Sequence, residues 1–341
     1  MGNRSLRVAI NGYGRIGRNL LRALYENLQQ GCNRQVQLVA INDLGSPESL
    51  LHLTRYDTTH GRFNTTVTLA ADNILQVNGD SIRLLQIEDP AACPWKELDI
   101  DLVLECTGVF RARDDAGRHL QAGARRVIIG AVAFDEVDAT LVYGVNHQQW
   151  RPEQRIISNA SCTTHCIAPL LQAMDEAFGV RQAFMTEIHS YTSDQVLLDH
   201  VHRDLRRARA GAQNLIPTTS SSINAVQQVL PRLQGRIAGY SMRVPTLNVA
   251  AVDLTLILEH PVTGAGPIHR LLEQASRERY LGIIGYCREP LVSVDFLNRT
   301  ESAIYDETQT IATEQMVKLV AWYDNETGYA HRLLDLVEAI R

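Results

Sequence analysis

A glycine triplet near the start of the chain constrains its fold more than any other feature. Gly12-Tyr13-Gly14-Arg15-Ile16-Gly17 follows a short apolar run, Arg7 to Ile10, and precedes a helical pattern from Asn19 to Leu28. A strand, a G-x-G-x-x-G turn and a helix in that order open a βαβ unit that holds a dinucleotide. The first glycine makes the tight turn, the second lets a pyrophosphate approach, and the third lets helix and strand touch. The helix N-terminus then offers amides and a positive dipole end to the diphosphate. Val36 to Asn42 reads as the second buried strand, and Asp43 ends it 26 residues after Gly17. That is near the spacing at which a carboxylate takes a ribose hydroxyl, and an acid there repels a 2′-phosphate, so NAD is expected rather than NADP.

Further apolar runs at Leu102 to Cys106 and Arg126 to Ile129 read as buried parallel strands. Residues 1–161 are therefore expected to form an α/β domain with a doubly wound, Rossmann-type parallel sheet. From Gln182 the pattern changes to longer alternating strands such as Asn248 to Leu258, interrupted by a polar, arginine-bearing stretch from Ser193 to Thr219. An α+β catalytic and oligomerisation domain over 162–324 follows, with a mostly antiparallel sheet whose open face needs a helix or a partner subunit. Thr327 to Ile340 has helical spacing, and residues 325–341 are expected to pack back on the first domain.

Composition narrows the function classes. A chain of 341 residues, 45% hydrophobic and 21% charged, is neither disordered nor fibrous. Its net charge of −5 gives no electrostatic reason to expect nucleic acid. No run approaches the ~18 apolar residues that span a bilayer, so no membrane is expected, and the protein reads as cytoplasmic. Lys96 and Lys318 are its two lysines and neither follows a glycine-rich loop, which disfavours a P-loop enzyme. Six cysteines are scattered without metal-type pairing, so reduced thiols and no metal are expected. The arginine run from Arg203 to Arg209 reads as ion pairs in a loop crossing between subunits.

Ser158-Asn159-Ala160-Ser161-Cys162-Thr163-Thr164 places a thiol at the start of a helix predicted through Ile167 to Met174. A helix N-terminus lowers a cysteine pKa and supplies amides for a developing oxyanion, so Cys162 is where a nucleophile would be activated.

Together with Asn11 to Arg18 and Ser158 to Thr164, the motifs Asp57-Thr58-Thr59-His60-Gly61-Arg62-Phe63, Glu105-Cys106-Thr107-Gly108-Val109-Phe110, Ile188-His189-Ser190-Tyr191-Thr192, Asp204-Leu205-Arg206-Arg207, Arg243-Val244-Pro245-Thr246 and Trp322-Tyr323-Asp324-Asn325-Glu326-Thr327-Gly328-Tyr329 resemble, in order and across the whole chain, the phosphorylating glyceraldehyde-3-phosphate dehydrogenases. The resemblance implies NAD-dependent oxidation of a phosphorylated aldehyde through a thioester on Cys162. It implies that His189 is the base, holding the thiolate as an ion pair. It places the substrate phosphate at Thr192 and Arg243, and inorganic phosphate at Ser161, Thr163 and the Ser220-Ser221 pair. The cofactor falls to Asn11, Gly12, Gly14, Arg15, Ile16, Gly17, Asp43, Thr107, Gly108, Asn325 and Tyr329. A homotetramer is implied as well.

The match is not uniform. His165 stands where the family has Asn, and Glu187 where it commonly has Thr; the two are expected to meet behind the site as a histidine–carboxylate pair. Ser220-Ser221 replaces the usual threonine-glycine. His200-Val201 replaces a leucine-proline common in strictly NAD-dependent members. Asp138 to Asn146 and Pro290 to Phe296 look more like the erythrose-4-phosphate dehydrogenase branch, which releases its acyl group to water. His189 to Thr192 and Asn325 to Tyr329 nevertheless resemble the glyceraldehyde-3-phosphate form, and the substrate loop touches the chemistry more directly, so glyceraldehyde 3-phosphate is the leading substrate and erythrose 4-phosphate the alternative.

Overall fold

The glycine turn lies at the C-terminal end of the central strand of a nine-stranded sheet. The computed structural model describes residues 4–29 and 35–341, and the chain divides into two units, Met1–Ala160 with Ala330–Arg341, and Ser161–Tyr329. The first unit runs β1 (Leu6–Asn11), α1 (Arg15–Gln29), β2 (Val36–Asn42), α2 (Pro47–Arg55), a ribbon of β3 (Tyr56–Asp57) and β4 (Gly61–Arg62), then β5 (Val67–Ala70), β6 (Ile74–Val77) and β7 (Asp80–Leu85). β8 (Leu102–Glu105), α3 (Arg113–Gln121), β9 (Arg126–Ile129), β10 (Ala139–Thr140) and β11 (Ile156–Ser158) complete it.

Strands are ordered β10-β11-β9-β8-β1-β2-β7-β6-β5. Every pair from β10 to β7 is parallel, and β6 and β5 add an antiparallel edge. From β1 the chain winds outward through β2 and later returns to place β8 on the other side. The winding therefore reverses between β1 and β8, the crevice at which open α/β sheets bind ligands. Leu20, Leu21 and Leu24 of α1 share one apolar core with Leu333, Leu336 and Val337 near the chain end. Trp95, Ile100, Ala116 and Val127 lie in the other.

The second unit runs α4 (Cys162–Phe178), β12 (Val180–Ser190), β13 (Ile216–Thr218), α5 (Ser222–Val229), β14 (Ile237–Val244), β15 (Ala250–Leu258), α6 (Gly266–Arg277), β16 (Ile284–Cys287), β17 (Ala303–Ala312), β18 (Met316–Tyr323) and the start of α7 (Thr327–Ala339). Its sheet is ordered β13-β14-β12-β15-β18-β17-β16, antiparallel except at β12–β14 and β16–β17. Two expectations are corrected in detail. The long strand begins at Ala250 rather than Asn248, because Val249 adopts φ +69° while the Asn248 carboxamide bonds Asp324 at 3.0 Å. The polar stretch 193–219 contains a short edge strand, β13, with Pro217 in it, a placement proline tolerates at a sheet edge.

β12 alternates cleanly: Ala183, Met185, Glu187 and His189 are buried, while Phe184 and Ile188 are exposed. Side chains two apart share a face of a strand, so Glu187 and His189 point the same way. α4, buried along most of its length, packs against this sheet.

Candidate active site

At the glycine turn, Gly12 has φ +91°, and a Cβ there would lie 2.5 Å from Thr107 N; at Gly17 a Cβ would lie 2.3 Å from Gly12 O. Both glycines serve close packing of backbone. Gly14 differs, since a Cβ there would meet nothing within 4 Å. Its missing side chain leaves a notch at the N-terminus of α1, which suits a pyrophosphate. Gly12→Ala is accordingly expected to cost about 2–4 kcal/mol of stability. Gly14→Ala should keep the parent's melting temperature yet weaken NAD binding about tenfold. Thermal melts and NAD titrations of the two variants check this, and parent-like NAD affinity in the Gly14→Ala variant would remove the notch from the cofactor site.

The groups around the turn are held in place. Asp43 accepts from Tyr13 N at 2.7 Å and from Gly45 N at 2.8 Å, bracing the loop against the end of β2. Arg15 is gripped by Asp57. Burial disfavours that carboxylate, but Arg15 and the amides of His60 and Thr59 outweigh it and hold Asp57 well below the usual carboxylate range. Ile16 packs on the α1 core. Beneath the loop, Asn11 Nδ2 donates to Glu105 Oε2 at 2.6 Å, and Asn11 Oδ1 accepts from Asn42 Nδ2 at 2.7 Å. Glu105 also takes the Thr107 amide at 2.8 Å and the Thr107 hydroxyl. Trp95 Nε1 donates to His119 Nδ1 at 2.9 Å, so His119 Nε2 carries the proton it shares with Glu105 at 3.0 Å. Gly108, at φ +73°, opens onto free space.

Cys162 is the first residue of α4, whose cap is Ser161: Ser161 Oγ accepts from Thr164 N at 3.1 Å. Ala160 precedes the cap at φ +51°, a strained value for a residue with a Cβ. Cys162 Sγ lies 3.6 Å from His189 Nε2. His189 Nδ1 is 2.7 Å from Ser190 O, so Nδ1 carries the hydrogen and the Nε2 lone pair faces the thiol. Arg243 stands beside His189 in the β12–β14 register. Its Nη1 donates to Ser190 O at 3.3 Å, its Nε is buried without a partner, and it forms no ion pair among the described residues. A thiol, a base and an unspent guanidinium thus share one corner of the sheet.

Residues 6–113 match the family model for "Glyceraldehyde 3-phosphate dehydrogenase, NAD binding domain", and residues 161–325 match the one for its C-terminal domain. The chain belongs to the glyceraldehyde-3-phosphate dehydrogenase family. Two relatives from Cupriavidus necator, named "Glyceraldehyde-3-phosphate dehydrogenase, plasmid" and "Glyceraldehyde-3-phosphate dehydrogenase, chromosomal", are 48% and 47% identical over 336 residues, 98% of this chain and of theirs. It is an NAD-dependent oxidoreductase, and no described helix is long and apolar enough to cross a membrane.

Within this glyceraldehyde-3-phosphate dehydrogenase family member, one expectation about the catalytic corner fails. Glu187 does not meet His165. Its Oε1 accepts from Thr163 Oγ1 at 2.8 Å, its Oε2 accepts from Ser220 Oγ at 2.5 Å, and Oε1 lies 3.9 Å from His189 Nε2. His165 instead sets its ring against the edge of Tyr329, 5.7 Å between centroids. Burial weighs against charge on both members of the Cys162–His189 pair. Burial pushes the Cys162 thiol up to about 12, with Glu187 adding to it and Arg243 and Thr163, through its side chain and then its amide, opposing. Burial, then Arg243, brings His189 down to about 4 against the pull of Glu187.

The remaining expected residues are placed as follows. Thr192 hands its amide, at 2.9 Å, and its hydroxyl, at 3.2 Å, to Gln195 Oε1. Asn325 is buried, and its Oδ1 accepts from Ser190 Oγ at 3.1 Å. Tyr329 is buried on His165. Ser221 is exposed and begins α5 without a side-chain cap bond. The arginine run makes ion pairs inside its own loop, Arg207 with Asp194 and Asp204, and Arg209 with Asp199 at 2.8 Å. Sequence reasoning passed over Tyr323, whose hydroxyl is 2.7 Å from Thr163 Oγ1, and Ser222, whose Oγ is 2.9 Å from Ser161 Oγ. Tyr323 had a signal, its position two residues before Asn325 in a motif already singled out.

Proposed function

We propose that the chain oxidises glyceraldehyde 3-phosphate through a thioester on Cys162 and passes the acyl group to inorganic phosphate. The observation that carries the reading is the 3.6 Å approach of Cys162 Sγ to His189 Nε2, with the Arg243 guanidinium, whose Nε is buried without a partner, beside them. Arg243, with Thr192, suits a substrate phosphate, because a planar fork of donors matches phosphate oxygens. As Sγ bonds the aldehyde carbon, His189 Nε2 takes the thiol proton and delivers it to the carbonyl oxygen. It takes that proton again when the hemithioacetal is oxidised. NAD, which the glycine turn with Asn11 and Thr107 would hold, supplies the hydride acceptor when bound. The Thr163 amide and the N-terminus of α4 stand where a developing oxyanion is stabilised.

Erythrose 4-phosphate, with water as acceptor, is the second reading, favoured by the engagement of Thr163 and Ser220 with Glu187. Assaying both sugar phosphates with and without inorganic phosphate separates them. The expected result is a higher kcat/KM for glyceraldehyde 3-phosphate with turnover that rises with phosphate; a higher value for erythrose 4-phosphate would replace the leading substrate.

The reading extends to assembly and location. Phe184, Ile188 and Tyr240 are exposed on the open face of the second unit's sheet, which supports a homotetramer in which another copy covers them. Unpaired thiols at Cys93, Cys106, Cys162, Cys166 and Cys287 suit a reducing, cytoplasmic setting.

A further inference from the structure

Glu187 is 3% exposed, and its two oxygens absorb the protons of two hydroxyls on different elements, Thr163 on α4 and Ser220 ahead of α5. A hydroxyl has one proton to give. Thr163 Oγ1 gives its proton to Glu187 and accepts from Tyr323, and Ser220 gives its own to Glu187. Ser161 Oγ is taken up by Thr164 and Ser222. The hydroxyls that would receive a phosphate acceptor are therefore already committed, and a buried negative charge stands where a dianion would have to approach. Like charges in a poorly solvated site repel strongly. Water meets no such obstacle.

From this we infer that Glu187 is the specificity-determining residue of the acceptor step: it weakens phosphate as acyl acceptor relative to water by holding the Thr163 and Ser220 hydroxyls. The inference rests on the Cys162 thioester proposed above. In transfer to phosphate, a phosphate oxygen bonds the thioester carbon, the C–S bond breaks, and the departing sulfur regains a proton from His189. In transfer to water, His189 first releases to solvent the proton it took during oxidation; the water oxygen then bonds the same carbon as the C–S bond breaks, and His189 Nε2 takes the water's proton and passes it to the departing sulfur. Neither route is a redox step, and the carboxylate at Glu187 penalises the first.

The test separates acylation from release. Mixing enzyme, NAD and glyceraldehyde 3-phosphate without phosphate, with acid quenching during turnover, should give NADH together with an acyl adduct on Cys162 by mass spectrometry; NADH formed with no adduct on Cys162 would sink the thioester reading on which the inference stands. Phosphate is then added to the acyl-enzyme and the concentration giving half-maximal release is measured. Glu187→Thr and the near-isosteric Glu187→Gln should each lower that concentration at least tenfold, by a larger factor than any change in maximal rate. Inorganic phosphate should also slow alkylation of Cys162 by iodoacetamide in the cofactor-free variants at concentrations that leave the parent unaffected. A half-saturating concentration within twofold of the parent in the Glu187→Gln variant would overturn the inference, and that variant keeps the test open should Glu187→Thr fold poorly.

Discussion

Replacing Cys162 by serine should reduce kcat with glyceraldehyde 3-phosphate about 10⁴-fold or more while NAD binds as in the parent. The hydroxyl of a serine is a far weaker nucleophile than a thiol and no thioester forms, so the route to oxidation is closed rather than slowed at one step. The substitution exchanges one atom at the first position of α4, where the Ser161 cap remains, so folding should be nearly unaffected. Cofactor titration, melting and single-turnover NADH formation measure the three quantities independently. Retained turnover would remove Cys162 from the chemistry.

His189→Asn should lower kcat about 10²- to 10⁴-fold, the usual worth of a positioned general base. The pH dependence gives the sharper signature. Burial, then Arg243, brings the imidazole down to about 4, so the neutral, proton-accepting form is present above that pH and is lost as pH falls through it. The parent's kcat/KM should carry an acid limb in that region, and the variant should not. Stability follows with a definite sign. An unfolded histidine takes up a proton near 6.5 while His189 in the fold resists until about 4, so the fold loses stability as pH falls from 6.5 toward 4. The His189→Asn variant should lose less between pH 7 and 5, read as a smaller shift in urea midpoint. An equal shift would show that the imidazole is not the group being titrated.

The glycine turn is readable from the chain alone because strand, glycines and helix follow one another in sequence; Gly17 meets the backbone of Gly12 within the turn itself, whereas the backbone that Gly12 meets, at Thr107, is brought in by the sheet. The Cys162–His189 pair was readable through resemblance, and strand alternation on β12 explains why a residue 27 positions away faces the sulfur. Glu187 was noticed but given the wrong partner. Positions 163 and 165 of a helix point about 200° apart, so a carboxylate aligned with His189 meets Thr163 and turns its back on His165. Ser220 could not be joined to Glu187 in advance, since their contact depends on how α5 is laid beside α4. The burial that opposes charge on the thiol and the imidazole is illegible for a related reason, as desolvation is a property of the packed interior and not of a motif.

Asn42, Asn11 and Glu105 lie level with one another at the ends of three adjacent parallel strands, β2, β1 and β8. Parallel strands rich in Val, Ile and Leu have little to stop them sliding, because one apolar side chain replaces another at modest cost. Sliding here by one position would strip a buried carboxylate of the donors from Asn11 and Thr107 and leave it uncompensated, a penalty of several kcal/mol. The row of amides and acid under the glycine turn thus acts as the ruler that keeps the three strands in step, and the place proposed to receive NAD is also the place where the alignment of the sheet is decided.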